Sequence, residues 1–163
     1  MPKRSAGILM FKQTDRGTEV LLVHPGGPFW RNRDSGAWSI PKGEYDEAEA
    51  AESAARREFR EETGAEAAAK LQPLGTLRQP GGKLVTAFAM EGDFDTDALQ
   101  TNSFEMEWPP RSGRTQSFPE VDRAGWFTIQ EARKAILPGQ APFLAELLKL
   151  LGRPPLPPAS PRG

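Results

Sequence analysis

One stretch of the chain, residues 43–65, spaces its acidic side chains at the period of an α-helix. It has the sequence GEYDEAEAAESAARREFREETGA, in which Glu58, Glu61 and Glu62 stand at positions i, i+3 and i+4. Those positions share one helix face, where like charges repel by roughly 0.2–0.5 kcal/mol per pair. A helix that stacks three carboxylates therefore needs a neutralising partner. A hard divalent cation, which prefers oxygen ligands, is the natural candidate.

The same stretch resembles the Nudix box, which combines two glycines, an Arg-Glu pair and a Glu-Glu pair at fixed spacing. The matching positions are Gly43, Glu49, Arg57, Glu58, Phe59, Glu61, Glu62 and Gly64. Ala65 departs from the pattern, because a larger aliphatic residue is usual there. Without Phe59, which fills a general apolar position, the seven fixed residues match by chance at a given start about 10⁻⁸ of the time at average residue usage. The alternative interpretation is a surface helix whose charges are solvated.

Alternating apolar runs and turn residues predict a mixed α/β domain. The resemblance implies the family fold, a mixed β-sheet sandwiched between helices, in which the box forms a loop–helix–loop. Within the box helix, Ala51, Ala55 and Phe59 are spaced to face the core. In chain order, the pattern predicts strands over 5–12 and 18–24, a loop over 25–35, a strand over 38–40 and a helix over 48–63 ended by Gly64. It next predicts a hairpin over 71–79 and 83–91 that turns at 80–82, a helical turn over 95–100, a strand over 103–108, a loop over 109–118 and a strand over 121–127. The last two predicted elements are a helix opened by a capping box at Thr128 and Glu131 and a helix over 141–151 ended by Gly152.

Length and composition bound the domain and its partners. The 163 residues predict one domain over 1–152 and a Pro-rich flexible tail over 153–163. Residues 44–66 carry nine acidic side chains and three arginines, a local charge of −6, so the rest of the chain carries +5. An acidic site in a mildly basic frame suits a metal ion and a polyanionic substrate.

Other features of the sequence exclude whole classes of function. The chain has no cysteine, which excludes a disulfide framework and thiol chemistry. It has no apolar stretch of 18 residues and no secretory signal pattern, so we expect a cytoplasmic protein without a membrane partner. No helix carries a cluster of basic residues, so we expect no nucleic-acid partner. We expect a monomer or a homodimer.

The resemblance implies roles for the residues of the box. Glu58 and Glu62 are expected to be the main ligands of Mg²⁺, or of Mn²⁺ in its place. Glu61 is expected to join or support them, and the carbonyl group of Gly43 to contribute. Either Glu58 or Glu61 is expected to take the proton of the attacking water, and the sequence does not choose between them.

One arginine and further carboxylates are expected around this site. Arg57 and Glu49 resemble a supporting pair in which the arginine orients a carboxylate, although an ordinary i,i+4 ion pair between Arg57 and Glu61 is compatible with the spacing. Outside the box, Glu120 precedes a strand that resembles the family's segment leading to Trp-Phe. In many relatives a carboxylate there assists the metal or the base. Two others compete for that role, Glu105 and Glu107, and a plain surface glutamate is the alternative for each.

Cationic and aromatic side chains outside the helix are candidates for holding the substrate. Lys42 follows Pro41 at the mouth of the expected metal site, and the resemblance favours a phosphate contact over an exposed lysine without a role. Trp30 lies in a polar loop and is a candidate for stacking on a base. Further phosphate candidates are Arg31, Arg33, Arg78, Lys83, Arg111 and Arg114. The remaining tryptophans, Trp38, Trp108 and Trp126, are expected in the core or the sheet. The single histidine, His24, is interpreted as structural or loop-fixing.

These features predict a Mg²⁺-dependent hydrolase that cleaves a phosphoanhydride bond of a nucleoside diphosphate linked to another moiety. Looser similarity over 38–44 and 119–127 looks like a bacterial branch described as predicted nucleotide pyrophosphohydrolases. Pro41-Lys42-Gly43 resembles dinucleoside polyphosphate hydrolases, so we expect a diadenosine polyphosphate such as Ap4A to be the preferred substrate. The tyrosine that this branch often carries downstream of the box is absent, since the only tyrosine, Tyr45, lies inside it.

Pro80 falls near the position where ADP-ribose hydrolases of the family carry a proline, but the hairpin turn at Pro80-Gly81-Gly82 accounts for it better. Two other interpretations stay open. The first is a nucleoside triphosphate pyrophosphohydrolase that acts on dNTPs or oxidised dNTPs. The second is a non-catalytic Nudix domain that binds a nucleotide as a sensor. Such domains typically lose glutamates of the box, and this chain keeps them.

Overall fold

The computed structural model describes residues 2–154, which form a six-stranded sheet, a two-stranded ribbon and three α-helices. The strands are β1 (Arg4–Thr14), β2 (Gly17–Pro25), β3 (Lys42–Tyr45), β4 (Gln72–Arg78), β5 (Leu84–Glu91), β6 (Ser103–Glu107), β7 (Thr115–Pro119) and β8 (Val121–Thr128). The helices are α1 (Ala51–Thr63), α2 (Ile129–Ala135) and α3 (Pro142–Leu150). Short 3₁₀ turns lie at Thr96–Ala98 and Pro138–Gln140.

Strand β1 organises the sheet because it pairs along both of its edges. β5 runs parallel to it on one edge, over residues 4–11. The other edge is divided, since β3 pairs antiparallel with residues 4–7 and β2 pairs antiparallel with residues 11–14. β4 and β8 complete the order β4-β5-β1-β2-β8. The mixed sheet that the sequence predicts is confirmed, and the divided edge draws the start of the box into it.

Helices cover both faces of the sheet because successive side chains of β1 alternate between them. Ile8 and Met10 pack towards α1, whose Ala55 and Phe59 are fully buried. Ala51, the third predicted core residue of this helix, is partly buried at the edge of the same cluster. The opposite face packs against α2 and α3 through Leu9, Phe11, Val20 and Leu22. The predicted sandwich of a mixed sheet between helices is confirmed.

Three local signals act as the sequence predicts. Gly64 ends α1 in the left-handed conformation, with a φ of 85°. Gly82 closes the turn between β4 and β5 by donating its N–H to the carbonyl oxygen of Gln79 at 2.9 Å. At the start of α2, the Thr128 hydroxyl accepts the N–H of Glu131 while the Glu131 carboxylate accepts the N–H of Thr128. The predicted capping box is therefore present.

The strand predicted over 38–40 is wrong. These residues make only isolated bridges in the part of the chain that the structure describes, one from Ser39 to β2 and one from Trp38 to the residue after α2. The continuous pairing falls instead at β3, which the sequence places in a loop of the box. The reason lies in β1, because β2 leaves residues 4–7 of that strand unpaired on this edge and β3 takes the vacant positions.

Helix α1 begins at Ala51, three residues later than predicted. Asp46 accounts for the difference, because it folds the preceding residues into a turn. Its carboxylate accepts the N–H of Ala48 at 2.9 Å, and its carbonyl oxygen accepts the N–H of Glu49 at 3.2 Å. A short aspartate side chain that bonds backbone N–H groups two residues on competes with helix formation.

The loop predicted over 109–118 is wrong in its second half. There β7 pairs antiparallel with β6, from Ser103 opposite Pro119 to Glu107 opposite Thr115. β7 contains few apolar residues and most of its side chains are exposed, so its sequence carries a weak strand signal. Its pairing with β6 is what makes it a strand.

No helix within residues 2–154 is long and apolar enough to cross a membrane. α3 ends at Leu150, and Gly152 follows with a φ of 67°, as expected of a helix stop. The tail predicted over 153–163 lies outside the described residues from 155 onward. The division of the chain at 152 stays a prediction.

Candidate functional site

Gly43 and Glu58 meet where β3 passes under α1. Gly43 stands opposite Ala6, whose side chain faces α1. A Cβ atom at Gly43 would overlap the carboxyl group of Glu58, so only glycine keeps this space open. The Glu58 side chain is 12% exposed. The close approach brings the backbone of Gly43 and the carboxylate of Glu58, two expected oxygen donors, to one place.

Arg57 holds three carboxylates of the box with one guanidinium group. Its Nε and Nη2 donate to the two oxygens of Glu49, each at 2.9 Å. Its Nη1 donates to Glu58 at 2.8 Å and to Glu61 at 3.2 Å. The paired bonds to Glu49, the largest cause of the raised pKa of Arg57, also fix the plane of the guanidinium. Arg57 thereby orients Glu58 and Glu61 and reduces the repulsion between them.

Glu62 has the most perturbed carboxyl group of the site. Burial raises the pKa of Glu62 to about 8, and the charges of Glu58 and Glu120 act in the same direction. The N–H of Lys42 donates to Glu62 Oε1 at 3.3 Å, and this bond and the Lys42 charge oppose the rise. Burial also raises the pKa of Glu58. A nearby cation would stabilise the charged form of both carboxyl groups.

The donors of this site are all oxygen atoms, the ligand type that Mg²⁺ and Mn²⁺ prefer. The three carboxylates, Glu58, Glu61 and Glu62, are called the carboxylate cluster below. Among the described residues no three His, Cys, Asp or Glu side chains converge tightly enough to hold a metal ion. Glu58 and Glu61 are turned to Arg57, and Glu62 is turned to the N–H of Lys42. The donor set fits a hard divalent cation in its chemistry, and binding one requires these side chains to turn together.

Glu120 approaches the carboxylate cluster from a distant part of the chain. Its charge acts on Glu62. Its N–H donates to the carbonyl oxygen of Asn102 at 2.8 Å, and the N–H of Asn102 donates to the carbonyl oxygen of Glu61 at 3.4 Å. These bonds place the foot of the ribbon formed by β6 and β7 against the last turn of α1.

The two competitors of Glu120 lie farther along the ribbon. Glu105 is exposed on β6. Glu107 is engaged at the far end, where its carboxylate accepts the backbone N–H groups of Arg111 at 3.0 Å and Gly113 at 3.1 Å. Glu107 therefore closes the loop between β6 and β7, whereas Glu120 lies at the end of the ribbon that contacts α1.

Lys42 and Lys83 bring two cations to the edge of the site. Lys42 stands opposite Gly7 on β1, one position from the residue that faces α1. Burial lowers the pKa of Lys42, the charge of Lys83 acts in the same direction, and Glu62 opposes both. Lys83 Nζ lies 3.2 Å from Glu44 Oε2. Two lysine charges that act on each other favour an anion beside them.

The other predicted phosphate contacts are exposed and lie on separate elements. Arg31 and Arg33 belong to the loop after β2, Arg78 ends β4, and Arg111 and Arg114 lie between β6 and β7. The structure therefore groups Lys42 and Lys83 beside the carboxylate cluster, and these arginines belong to three other segments of the chain.

His24 anchors the loop that carries Trp30 and Arg33. The imidazole is fully buried, its Nε2 donates to the carbonyl oxygen of Arg33, and its Nδ1 lies 2.8 Å from Asp122 Oδ1. It packs against the buried ring of Trp38 at 5.2 Å. The guanidinium of Arg33 lies 5.8 Å from the ring of Trp30. The loop is thus tied to β8 through His24, and also through Arg123, whose Nη2 donates to Asp34 at 3.1 Å.

Two partners in these contacts are absent from the candidates that the sequence yields. Glu44 pairs with Lys83, and its alternation with Lys42 along β3 would have indicated that both leave the strand on one face. Asp122 pairs with His24 across β2 and β8, and no spacing in the sequence indicates that contact, because it depends on the register of two distant strands.

Comparison with known proteins identifies the domain. The family model described as NUDIX domain matches residues 1–147. No curated protein is similar enough in sequence to match the chain.

Solved structures share the fold at low sequence identity. The chain superimposes on an Ap4A hydrolase of C. elegans in a binary complex with a TM-score of 0.64 and 20% identity, covering 91% of this chain and 98% of that one. It superimposes on the NUDIX domain of Shewanella oneidensis NrtR complexed with ADP ribose with a TM-score of 0.65 and 18% identity, covering 93% and 89%. A mutT/nudix family protein from Listeria innocua gives a TM-score of 0.62 and 21% identity, covering 93% and 96%. At these identities the likeness shows the fold alone.

Proposed function

This chain belongs to the Nudix family, and we propose that this hydrolase cleaves nucleoside diphosphates linked to another moiety, with a dinucleoside polyphosphate such as Ap4A as its preferred substrate. The observation that carries the proposal is the position of Lys42. It is partly buried beside Glu62, within the electrostatic reach of Lys83, and directly before the glycine that contacts Glu58. A pair of lysines beside an acidic metal site suits a chain of several phosphates.

The carboxylate cluster is proposed to carry the chemistry. Glu58 and Glu62, with the Gly43 carbonyl group and support from Glu61, hold the metal. When Mg²⁺ or Mn²⁺ is bound, it neutralises phosphate charge and lowers the pKa of a water molecule. Glu58 or Glu61, the two carboxylates on Arg57 Nη1, accepts the proton of the attacking water.

Residues around the cluster are proposed to position these groups and the substrate. Arg57, itself held by Glu49, keeps the two candidate bases in place. Glu120 adds negative charge beside the metal. Further contacts with the substrate are assigned to Lys42, Lys83, Arg78, Arg33 and Trp30.

The test is hydrolysis by the purified chain with Mg²⁺, and in parallel with Mn²⁺, of Ap4A, ADP-ribose, dGTP and 8-oxo-dGTP. Separation of the products identifies the bond that is cleaved. We expect the highest kcat/KM for Ap4A. Turnover confined to nucleoside triphosphates would reject the substrate while keeping the class. Nucleotide binding without turnover of any compound would indicate a sensor, and Glu58→Gln is the control for contaminating activity.

A further inference from the structure

The loop after β2 and the ribbon formed by β6 and β7 are joined along their length. The N–H of Gly26 donates at 3.0 Å to the carbonyl oxygen of the residue that follows β7. One residue on, a Cβ atom at Gly27 would lie 3.1 Å from the ring of Phe104. Phe29 then meets Trp108 edge-on, with ring centroids 5.7 Å apart and planes at 85°. Residues 26–29 therefore run along the ribbon from its foot, beside the end of β7, to its far end at Trp108.

Aromatic side chains line the side of the ribbon that meets this loop. Phe104 in β6 and Trp108 directly after it lie on one side of the ribbon because they are an even number of residues apart, and Glu105 and Glu107 take the other side. Phe118 stands opposite Phe104, with ring centroids 6.0 Å apart. These rings and that of Phe29 form what we call the aromatic wall: Phe29, Phe104, Trp108 and Phe118.

Phe29 is the exposed part of the aromatic wall. It is 62% exposed, more than any other large hydrophobic residue in the part of the chain that the structure describes. Trp30 beside it is partly buried, and the guanidinium of Arg33 lies near its ring. Phe29 therefore offers the larger free aromatic surface. The anchor between His24 and the Arg33 carbonyl group fixes the loop, so the surface is formed before any ligand binds.

The position and charge of the aromatic wall indicate what covers Phe29. The foot of the ribbon contacts the last turn of α1, next to the carboxylate cluster. Trp108 lies four positions after Phe104, about 13 Å away at roughly 3.3 Å per residue. Arginines lie on the segments that meet at the far end, because Arg31 and Arg33 follow Phe29 in its loop, and Arg111 and Arg114 belong to the turn that follows Trp108. An aromatic surface between a metal site and a set of cations complements a ligand that joins an aromatic ring to phosphates.

We propose that the aromatic wall binds a nucleobase of the substrate, which stacks on Phe29 while the phosphate chain extends along the ribbon to the carboxylate cluster. This inference rests on the proposed function, because it assigns the selective contact of the same site. It places the base on Phe29, with Trp30 and Arg33 at its side. Stacking accepts any base, since each has a π-face, so the aromatic wall selects for a nucleotide rather than for one particular base.

The test compares two ligands that differ only by the base, AMP and ribose 5-phosphate. Neither contains a phosphoanhydride bond, so binding to the full chain with Mg²⁺ can be measured by calorimetry without turnover. Base stacking on an aromatic side chain corresponds to roughly a 5- to 150-fold change in affinity. We expect the wild-type chain to prefer AMP by such a factor, and Phe29→Ala to remove the preference while leaving ribose 5-phosphate unchanged.

Three further variants separate stacking from packing. Phe29→Trp keeps an aromatic face and should keep the preference for AMP. Phe29→Leu keeps an apolar side chain without a π-face and should lose it. Leu150→Ala removes the other exposed large hydrophobic residue, which is 38% exposed on α3, and should change neither ligand's affinity.

The outcomes for this inference and for the proposed function are distinct. If wild type binds AMP and ribose 5-phosphate equally, or if Phe29→Ala keeps the preference, the aromatic wall is not a base site. Turnover of Ap4A by that variant with an unchanged KM would also exclude a base site there and leave the proposed function intact. A preference for AMP that depends on Phe29, in a chain that hydrolyses nothing, would support the base site and reject the enzyme.

Discussion

The carboxylate cluster and the aromatic wall are assembled in opposite ways. The cluster is built from nearby residues, since Arg57 reaches Glu49 eight positions away and the N–H of Lys42 reaches Glu62 twenty positions away. The aromatic wall instead joins the loop after β2 to a ribbon that follows β5 in the chain. In this molecule, a single helix and the strand before it can hold the chemistry, while selection of the substrate depends on the tertiary fold.

The two regions also differ in their surroundings. The carboxylates of Glu58 and Glu62 are withdrawn from water, and burial disfavours their charge. Phe29 is open to solvent, and Arg31 and Arg33 follow it in the same loop. If this contrast reflects a division of labour, changes in the cluster should act on kcat, and changes in the aromatic wall should act on KM.

The largest effect is expected from Glu58→Gln and Glu61→Gln, which test whether the cluster carries the chemistry. Loss of a general base lowers kcat by about 10² to 10⁴-fold, so the variant that removes the base should fall in this range with little change in KM. The other variant removes a carboxylate that holds or supports the metal, and raising the Mg²⁺ concentration should restore part of its activity. Steady-state kinetics at several Mg²⁺ concentrations measures both.

Glu52→Gln is the matched control, because Glu52 lies on the same helix, is exposed, and pairs with Arg56 outside the cluster. It should keep the wild-type kcat. A Glu58→Gln and a Glu61→Gln variant that both keep most of their kcat would contradict the proposed role of the cluster.

A smaller loss of activity is expected from Gly43→Ala, which tests how closely β3 and α1 must approach. The added Cβ atom would overlap the carboxyl group of Glu58, so that side chain has to move. Displaced ligand and support groups typically lower metal affinity or activity by about 10- to 100-fold. The measurement is the Mg²⁺ concentration at half-maximal activity, together with Tm.

Gly92→Ala is the control for a glycine substitution in itself, since its Cβ atom would meet only the flexible end of Met10. It should leave the dependence on Mg²⁺ unchanged. Wild-type metal dependence in Gly43→Ala would show that Glu58 has room to move.

The same contrast explains how far the sequence predicts the structure. The i, i+3 and i+4 spacing of the cluster, the capping box at Thr128 and the stop at Gly64 follow from helix geometry, so a single segment carries their signal. β3 and β7 are missed because their pairing is decided elsewhere. β3 fills positions on β1 that β2 leaves vacant, and β7 has mostly exposed side chains and depends on β6.

Functional residues divide in the same way. The contacts of Arg57 with Glu49 and Glu61 lie within one motif, so the spacing and the resemblance predict them. The contact of His24 with Asp122 depends on the register of β2 and β8, and that of Phe29 with Trp108 depends on a loop packing on a ribbon. Loops and registers have no fixed spacing in the sequence, so their partners appear only in the folded chain.

The pH dependence of stability tests whether the carboxyl group of Glu62 is buried without a compensating charge in the metal-free protein. Burial raises the pKa of Glu62 from 4.5 to about 8, with Glu58 and Glu120 adding to the effect and Lys42 opposing it. Between these values the folded protein holds a proton that the unfolded chain has released. Stability is therefore present below about pH 4.5 and is lost as pH rises through about 8, since each pKa unit corresponds to about 1.4 kcal/mol.

The measurement is urea unfolding of the EDTA-treated protein at several pH values between about 5 and 8. Wild type should lose free energy of unfolding as the pH rises, and Glu62→Gln should lose less, because it has no carboxyl group to ionise. Adding Mg²⁺ at about pH 8 should stabilise wild type more than the variant. Parallel pH profiles of the two metal-free proteins would be incompatible with a buried, uncompensated Glu62.

The smallest effect is expected from His24→Phe, which tests whether the aromatic wall depends on the loop anchor. Phenylalanine keeps a ring against Trp38 but removes the bonds to the Arg33 carbonyl group and to Asp122. Leaving a buried acceptor unsatisfied costs about 1–3 kcal/mol, which urea unfolding measures. Because the cluster lies on other elements, kcat should change little, whereas KM should rise as the loop that carries Phe29 loses its fixed position. Asp122→Asn, which keeps an acceptor oxygen, should have a smaller effect on KM. If His24→Phe instead lowers kcat and leaves KM unchanged, the anchor serves the chemistry, and the division between the carboxylate cluster and the aromatic wall does not hold.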